Sequence, residues 1–228
     1  MRRMGFLALV VATAVTIGCN RSDNQDVRAS ADSPVGTAGT AADTISSGDR
    51  DFLRDVAIIN KAEIELGRLA ADRGAHAEVK KYGQMMVDDH TNGRGKLDAI
   101  AVQHSLQLPT ELDDDHMDLR DKLAQAGPGD FDRDYLAAMI DGHEDLLDKL
   151  EPRLDAENLA EWRTRMSDKA PGETSDEKIR ATAVTPEKSD DLVTMAINQW
   201  AADSYPVVYA HLEAAKTLNE TVKKRATN

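Results

Sequence analysis

Two strings in the chain put a histidine where a helical core expects leucine. Tyr82-x-x-x-Met86-Val87-Asp88-Asp89-His90 and Tyr135-x-x-x-Met139-Ile140-Asp141-Gly142-His143 agree at Tyr, Met, Asp and His, with an aliphatic residue at the same place, and Leu97 and Leu150 extend the match. The three- and four-residue steps of an α-helix carry each Tyr, Met and His onto one face. Glu63 falls on a similar stripe between Ile59 and Leu66, and His211 on another between Val207 and Ala215. A buried ionisable group must be paired or neutralised, or it must bind a metal. Glu63, His90, His143 and His211 therefore define a candidate carboxylate-plus-imidazole centre for zinc, iron, manganese or copper. Glu65, on the neighbouring Ile58/Leu69 stripe, is an alternative carboxylate, and His116, on a shorter helix, is a further imidazole. Met86 and Met139 stand four residues before their histidines and admit a Met/His copper site, although methionine more often fills gaps in a core. Against all metal readings stands a plainer one, in which the histidines are core polar groups bonded to carbonyls, water or one another.

Other chemistries are excluded or lack their residues. A single cysteine permits neither an intrachain disulfide nor a multi-cysteine metal site. With 28 Lys+Arg against 41 Asp+Glu and a net charge of −13, the chain is a poor ligand for phosphate backbones. No Gly-rich phosphate loop, His-Glu-x-x-His or Gly-x-Ser-x-Gly is present. No catalytic residue is assigned, and a non-enzymatic role is preferred to a catalytic one such as a metal-dependent oxidase. Di-iron bundles use Glu-x-x-His, but Val87 and Ile140 stand three residues before His90 and His143. Asp88 and Asp141, two residues before their histidines, lie about 200° around the helix from them and suit a surface or inter-helix role. The acidic run from Glu111 to Asp115 lacks the spacing of a calcium loop.

The elements that must position these residues are helices. From about residue 48 onward, β-branched alternation and hairpin turn pairs are missing, and the chain reads as all-α. A first helix follows the cap cluster Ser46-Ser47-Gly48-Asp49, shows Phe52, Val56, Ile59, Glu63, Leu66 and Ala70, and ends at Gly74. A second runs from Val79 through Gly93 and Gly95, where a kink or close packing is expected, and stops before Pro109. A third, short, opens around Thr110 and closes at Gly127-Pro128-Gly129. The fourth opens at Asp130, with Pro152 kinking its last turn. A polar segment near 155–190 follows, with a short helix around Leu159–Met166. The fifth spans Val193 to Val222, and Pro206 is expected to kink or split it near Ser204. Tandem helical pairs carrying a repeated string describe an antiparallel bundle of four to five helices over residues 48–222, with a polar insertion.

The N-terminus carries an address. Arg2 and Arg3 precede an uncharged, largely apolar stretch, Met4 to Gly18, that is too short to span a bilayer. Gly18-Cys19 after it resembles the lipobox of bacterial lipoproteins, with Thr16 in place of the usual Leu. This implies a signal peptide over 1–18, lipidation of Cys19, and a lipid anchor in the membrane. Asn20, rather than Asp, after the cysteine resembles lipoproteins forwarded to an outer membrane. Residues 19–47 hold only Val27, Val35 and Ile45 as larger aliphatics and read as a disordered tether with a reach on the order of 30 Å.

The string Asn60-Lys61-Ala62-Glu63-Ile64-Glu65-Leu66-Gly67-Arg68-Leu69-Ala70, followed by Tyr82-Gly83-Gln84-Met85-Met86-Val87-Asp88-Asp89-His90, resembles the bacterial exported family catalogued as domain of unknown function 4142. Leu108-Pro109, Asp115-His116, Phe131-Asp132 with Tyr135, His143, and Tyr205-Pro206 to His211-Leu212 extend the resemblance over about 50–150 and 190–220. It implies a ferritin-like bundle, export, and the label of predicted outer-membrane protein, but no activity. The stretch 155–190 departs from it. Two functions follow: a periplasm-facing envelope lipoprotein acting as a structural or interaction module, with protein partners unidentified, or a transition-metal-binding protein in sequestration or stress protection.

Overall fold

Ser46 opens the first helix. Its hydroxyl accepts the Asp49 N–H at 3.0 Å and donates to the Asp49 carboxylate at 2.8 Å, a reciprocal cap that satisfies an otherwise orphaned donor. The computed structural model describes residues 45–167 and 176–226. Among these it contains seven α-helices and no β-strand: α1 (Ser47–Arg73), α2 (Ala77–Gln103), α3 (Asp114–Gln125), α4 (Pro128–Leu150), α5 (Ala156–Ser167), α6 (Asp176–Arg180) and α7 (Leu192–Ala226), with a 3₁₀ turn at Glu151–Arg153. The fold is all-α, as expected. The signal segment, Cys19 and most of the tether lie outside the described residues. None of the described helices is long and apolar enough to cross a membrane.

Four helices make the bundle. The most extensive contacts are α1 with α2 and α4 with α7, and α2 with α7 and α1 with α4 close the ring. Every adjacent pair is antiparallel. Asp55 and Glu63 of α1 meet Lys149 and His143 of α4, while Glu78 and Gly93 of α2 meet Arg225 and Trp200 of α7. The repeated helices α2 and α4 consequently face each other across the diagonal and run parallel. A long crossover carrying α3 returns the chain between them. It is anchored where Arg73 of α1 donates to the carbonyls of Leu123, Ala124 and Ala126.

Close approach of α1 and α2 depends on two glycines. A Cβ on Gly83 would stand 2.6 Å from the Gly67 carbonyl oxygen, and one on Gly67 would stand 2.7 Å from that of Gly83. Asp132, buried on α4, accepts the N–H groups of Ala75 and His76 at 2.9 Å each and contacts His76 Nδ1 at 2.6 Å, so α4 caps α2 from outside.

Several boundaries differ from expectation. The third helix begins at Asp114 rather than near Thr110, because Asp113 accepts the His116 N–H at 3.0 Å and so sets the cap. The fourth begins at Pro128, where a missing N–H costs nothing. Helix α2 passes Gly93 and Gly95 without a break. Pro206 lies buried inside α7 and does not split it. Ile45, read as tether, is buried in the core. The stretch read as a polar insertion is amphipathic: Leu159, Trp162, Met166, Ile179 and Val184 all join the core. Trp162 meets Tyr205 and Tyr209 edge to face at 5.6 and 5.0 Å.

Candidate metal centre

Helical spacing stacks the repeated residues in layers. Tyr82 and Tyr135 meet edge to face at 6.2 Å, Met86 and Met139 are buried in the same core cluster, and His90 and His143 meet at 5.6 Å between ring centroids. The Tyr, Met and His of one string therefore meet, or share a core with, their counterparts in the other. His211 of α7 completes the layer, at 5.3 Å from His90 and 5.4 Å from His143. All three histidines are buried, and one ring nitrogen from each lies within 4.8 Å of those of the others.

Hydrogen bonds assign the tautomers. His143 Nδ1 lies 2.8 Å from the Met139 carbonyl oxygen, which can only accept, so Nδ1 carries the proton. His211 Nε2 lies 2.8 Å from the Asp89 carboxylate and donates to it. Asn60 uses its Nδ2 on the Val56 carbonyl at 2.7 Å, which turns its Oδ1 toward His90 Nδ1 at 3.2 Å. His90 therefore also donates from its outer nitrogen. In the neutral rings the remaining nitrogens bear lone pairs. His143 Nε2 and His211 Nδ1 face each other at 3.4 Å, and His90 Nε2 is buried without a hydrogen-bond partner.

Electrostatics keep the His90 and His143 rings neutral. Burial, then the charge of His211, pushes His143 down to about 3 against the opposing Met139 hydrogen bond, and burial likewise drives His90 well below the ordinary imidazole range. Burial works to raise Asp89, but hydrogen bonds from His211 and from Arg180, at 2.5 Å, outweigh it and hold the carboxyl low. Glu63 has no such partner. Burial pushes it up to about 8, and its Oε2 has no hydrogen bond.

The candidate residues thus divide. His90, His143 and His211 come together. Glu63 lies beside them, with Oε1 3.8 Å from Nδ1 of His143, the edge that binds Met139 rather than the one that faces His211. Glu65 lies elsewhere: it pairs with Lys61 at 2.9 Å and Arg120 at 3.3 Å near the surface, because the second stripe of α1 faces α3. His116 contacts Asp113 at 2.5 Å at the start of α3 and lies outside the cluster. Three residues that hold the histidines were not singled out from the sequence: Asn60, Asp89 and Arg180. Asn60 had a signal, since it lies one turn before Glu63 on the same stripe. Asp89 is masked by its position about 100° from His90, and nothing in the sequence ties Arg180 to α2.

A small cleft between α2 and α7 reaches the cluster, with a cavity of about 80 Å³. His90, His211, Asn60 and Asp89 lie in its lining, with Trp200, Val207 and Val208 among its apolar walls and Lys96 and Asp203 among its exposed residues.

No curated protein and no solved structure matches the chain. A family model does match residues 35–172, a stretch that contains Glu63, His90 and His143 and stops before His211. On that match, which spans more than half of its length, the chain belongs to the family described as domain of unknown function (DUF4142).

Proposed function

We propose that this protein binds a divalent transition-metal ion through His90 Nε2, His143 Nε2 and His211 Nδ1, and that it serves in metal sequestration or stress protection at the cell envelope. The observation that carries the reading is the tautomer pattern. Each imidazole has its outer N–H held by a fixed acceptor, Met139 O, Asp89 or Asn60, which is how ligating histidines are oriented in metal sites. The 3.4 Å between His143 Nε2 and His211 Nδ1 suits neighbouring ligands around zinc, whose bonds of ~2.0–2.1 Å put tetrahedral donors ~3.3 Å apart. Three imidazoles without thiolate favour zinc, copper, nickel, cobalt or ferrous iron over magnesium and calcium. A purely structural or interaction module gains nothing from facing lone pairs in its centre, where leucine would pack without desolvation cost. The address supports the envelope: Cys19 in a lipobox-like context would anchor the bundle to a membrane by its lipid.

The test is elemental analysis of untagged protein from metal-replete cells, beside the double variant His90→Ala/His143→Ala. Near-stoichiometric metal in the parent and none in the folded variant is expected. Equal metal content in the two would reject the centre, and metal-free parent protein that binds no added ion would return the histidines to a structural role.

A further inference from the structure

The cluster offers three donors, and a cleft reaches it. Glu63 lies against the opposite edge of His143 and does not join the mutually close nitrogens, so among the described residues no fourth His, Cys or carboxylate joins the three. The cleft between α2 and α7 has both His90 and His211 in its lining. Three ligands with an accessible fourth position are the pattern of a metal site that binds an outside molecule, whereas purely structural sites are closed. From this geometry, and resting on the metal reading above, we infer that the ion keeps a coordination position open to the cleft and that this position takes a small inorganic anion of two or three heavy atoms.

Size and charge select that class. A cavity of about 80 Å³ is about half the ~150 Å³ that takes a benzene ring, so it suits a ligand of two or three heavy atoms and is too small to enclose a nucleotide, a sugar or a peptide. An imidazole that ligates a metal does so as a neutral donor, and the Asp89 carboxylate is paired with Arg180. A divalent ion among the three imidazoles stays net positive even when Glu63 is counted as an anion, so an anionic ligand gains Coulomb energy that a neutral one does not. Lys96 among the exposed lining residues adds attraction, which Asp203 there offsets. Trp200 is pinned as a wall, its Nε1 donating to the Gly93 carbonyl at 3.1 Å, and with Val207 and Val208 it screens the position from bulk water.

Cobalt(II) substitution with azide as probe tests the inference. The full-length protein is loaded with cobalt, and its visible ligand-field bands are followed during azide addition for the parent and Val207→Trp, whose indole would fill the cleft. Saturable band shifts in the parent are expected, with the variant keeping its cobalt and binding azide about tenfold more weakly or worse. Should Val207→Trp fail to fold by circular dichroism, Ser204→Phe on the same wall takes its place. A cobalt protein whose spectrum azide does not move, or a filled cleft that leaves azide binding unchanged, overturns the open position while leaving the metal centre standing. A parent that binds no cobalt overturns the metal centre, and the open position with it.

Discussion

His143 Nε2 and His211 Nδ1 face each other at 3.4 Å, because the Met139 carbonyl and the Asp89 carboxylate occupy the opposite sides of the two rings. Such a pair needs a proton or a metal ion between the nitrogens. A proton on His211 can serve, with neutral His143 as its acceptor. A metal ion also serves, and its binding then adds to the folding free energy, since an unfolded chain has no preformed site. At a free metal concentration about one hundred times Kd, the gain is about 2.7 kcal/mol. For a domain of this size that corresponds to a rise of about 5–10 °C in Tm. Thermal melts with zinc, copper or cobalt should show it, and a chelator should reverse it. A Tm indifferent to every ion would count against the centre.

Asp89→Asn separates the orienting role of Asp89 from the ligands themselves. The carboxylate fixes the His211 tautomer and is itself held by Arg180 at 2.5 Å, a chain that runs from α6 to α2 to α7. An amide in its place can still fill the volume but loses the charge. The expected result is a loss of about 10–100-fold in metal affinity with the helical content unchanged. Competition against a chromophoric chelator measures it. Parent-like affinity would show that His211 needs no carboxylate to present Nδ1.

The histidine layer was legible in advance because helical periodicity is a local property. Tyr82, Met86 and His90 had to share a face, and their repetition at Tyr135, Met139 and His143 pointed to two equivalent helices. What remained hidden depended on tertiary contacts. The choice of Glu63 over Glu65 follows from which arc of α1 turns to α4 and which to α3, and both arcs carry aliphatic residues. Arg180 reaches Asp89 from a stretch that reads as polar because its apolar residues are spaced out among charges, yet Trp162 and Ile179 seat that stretch on the bundle. Pro206, expected to kink or split the last helix, lies buried within an α7 that continues through it.

Two glycines of α2 should respond in opposite directions to alanine. Gly83 crosses Gly67 so closely that a Cβ would stand 2.6 Å from a backbone oxygen and 2.8 Å from the Cβ of Ala70, so α1 and α2 would have to separate. Gly83→Ala is expected to cost about 1–3 kcal/mol or more. A Cβ at Gly95 meets nothing within 4 Å, and Gly95→Ala should stabilise by about 0.5–1 kcal/mol through helix propensity alone. Urea unfolding of the two variants measures both. Equal effects would mean that the crossing is looser than its geometry indicates.

Asp49 should make stability depend on acid. It joins the start of α1 to α7 and to the 3₁₀ turn, accepting from Thr194 at 2.7 Å and pairing with Arg153. Burial works to raise its carboxyl, but hydrogen bonds from Thr194, Ser46 and Arg153, with the charge of Arg153, outweigh that and hold it below the usual carboxylate range. A folded-state value below the unfolded one means that the unfolded chain takes up the proton first as pH falls. The contribution is therefore complete above the unfolded value of about 3.9 and is lost as pH drops through the folded value. Asp49→Asn cannot carry that charge, so at neutral pH it should cost about 1.5–3 kcal/mol, the scale of hydrogen bonds to charged groups. The deficit should hold from pH 7 to about pH 5 and narrow below about pH 4 as the parent loses its advantage. Other carboxylates titrate in the same range, and taking the difference between parent and variant at each pH in urea unfolding removes their share. A deficit that stayed constant into acid would assign the role of Asp49 to shape rather than charge.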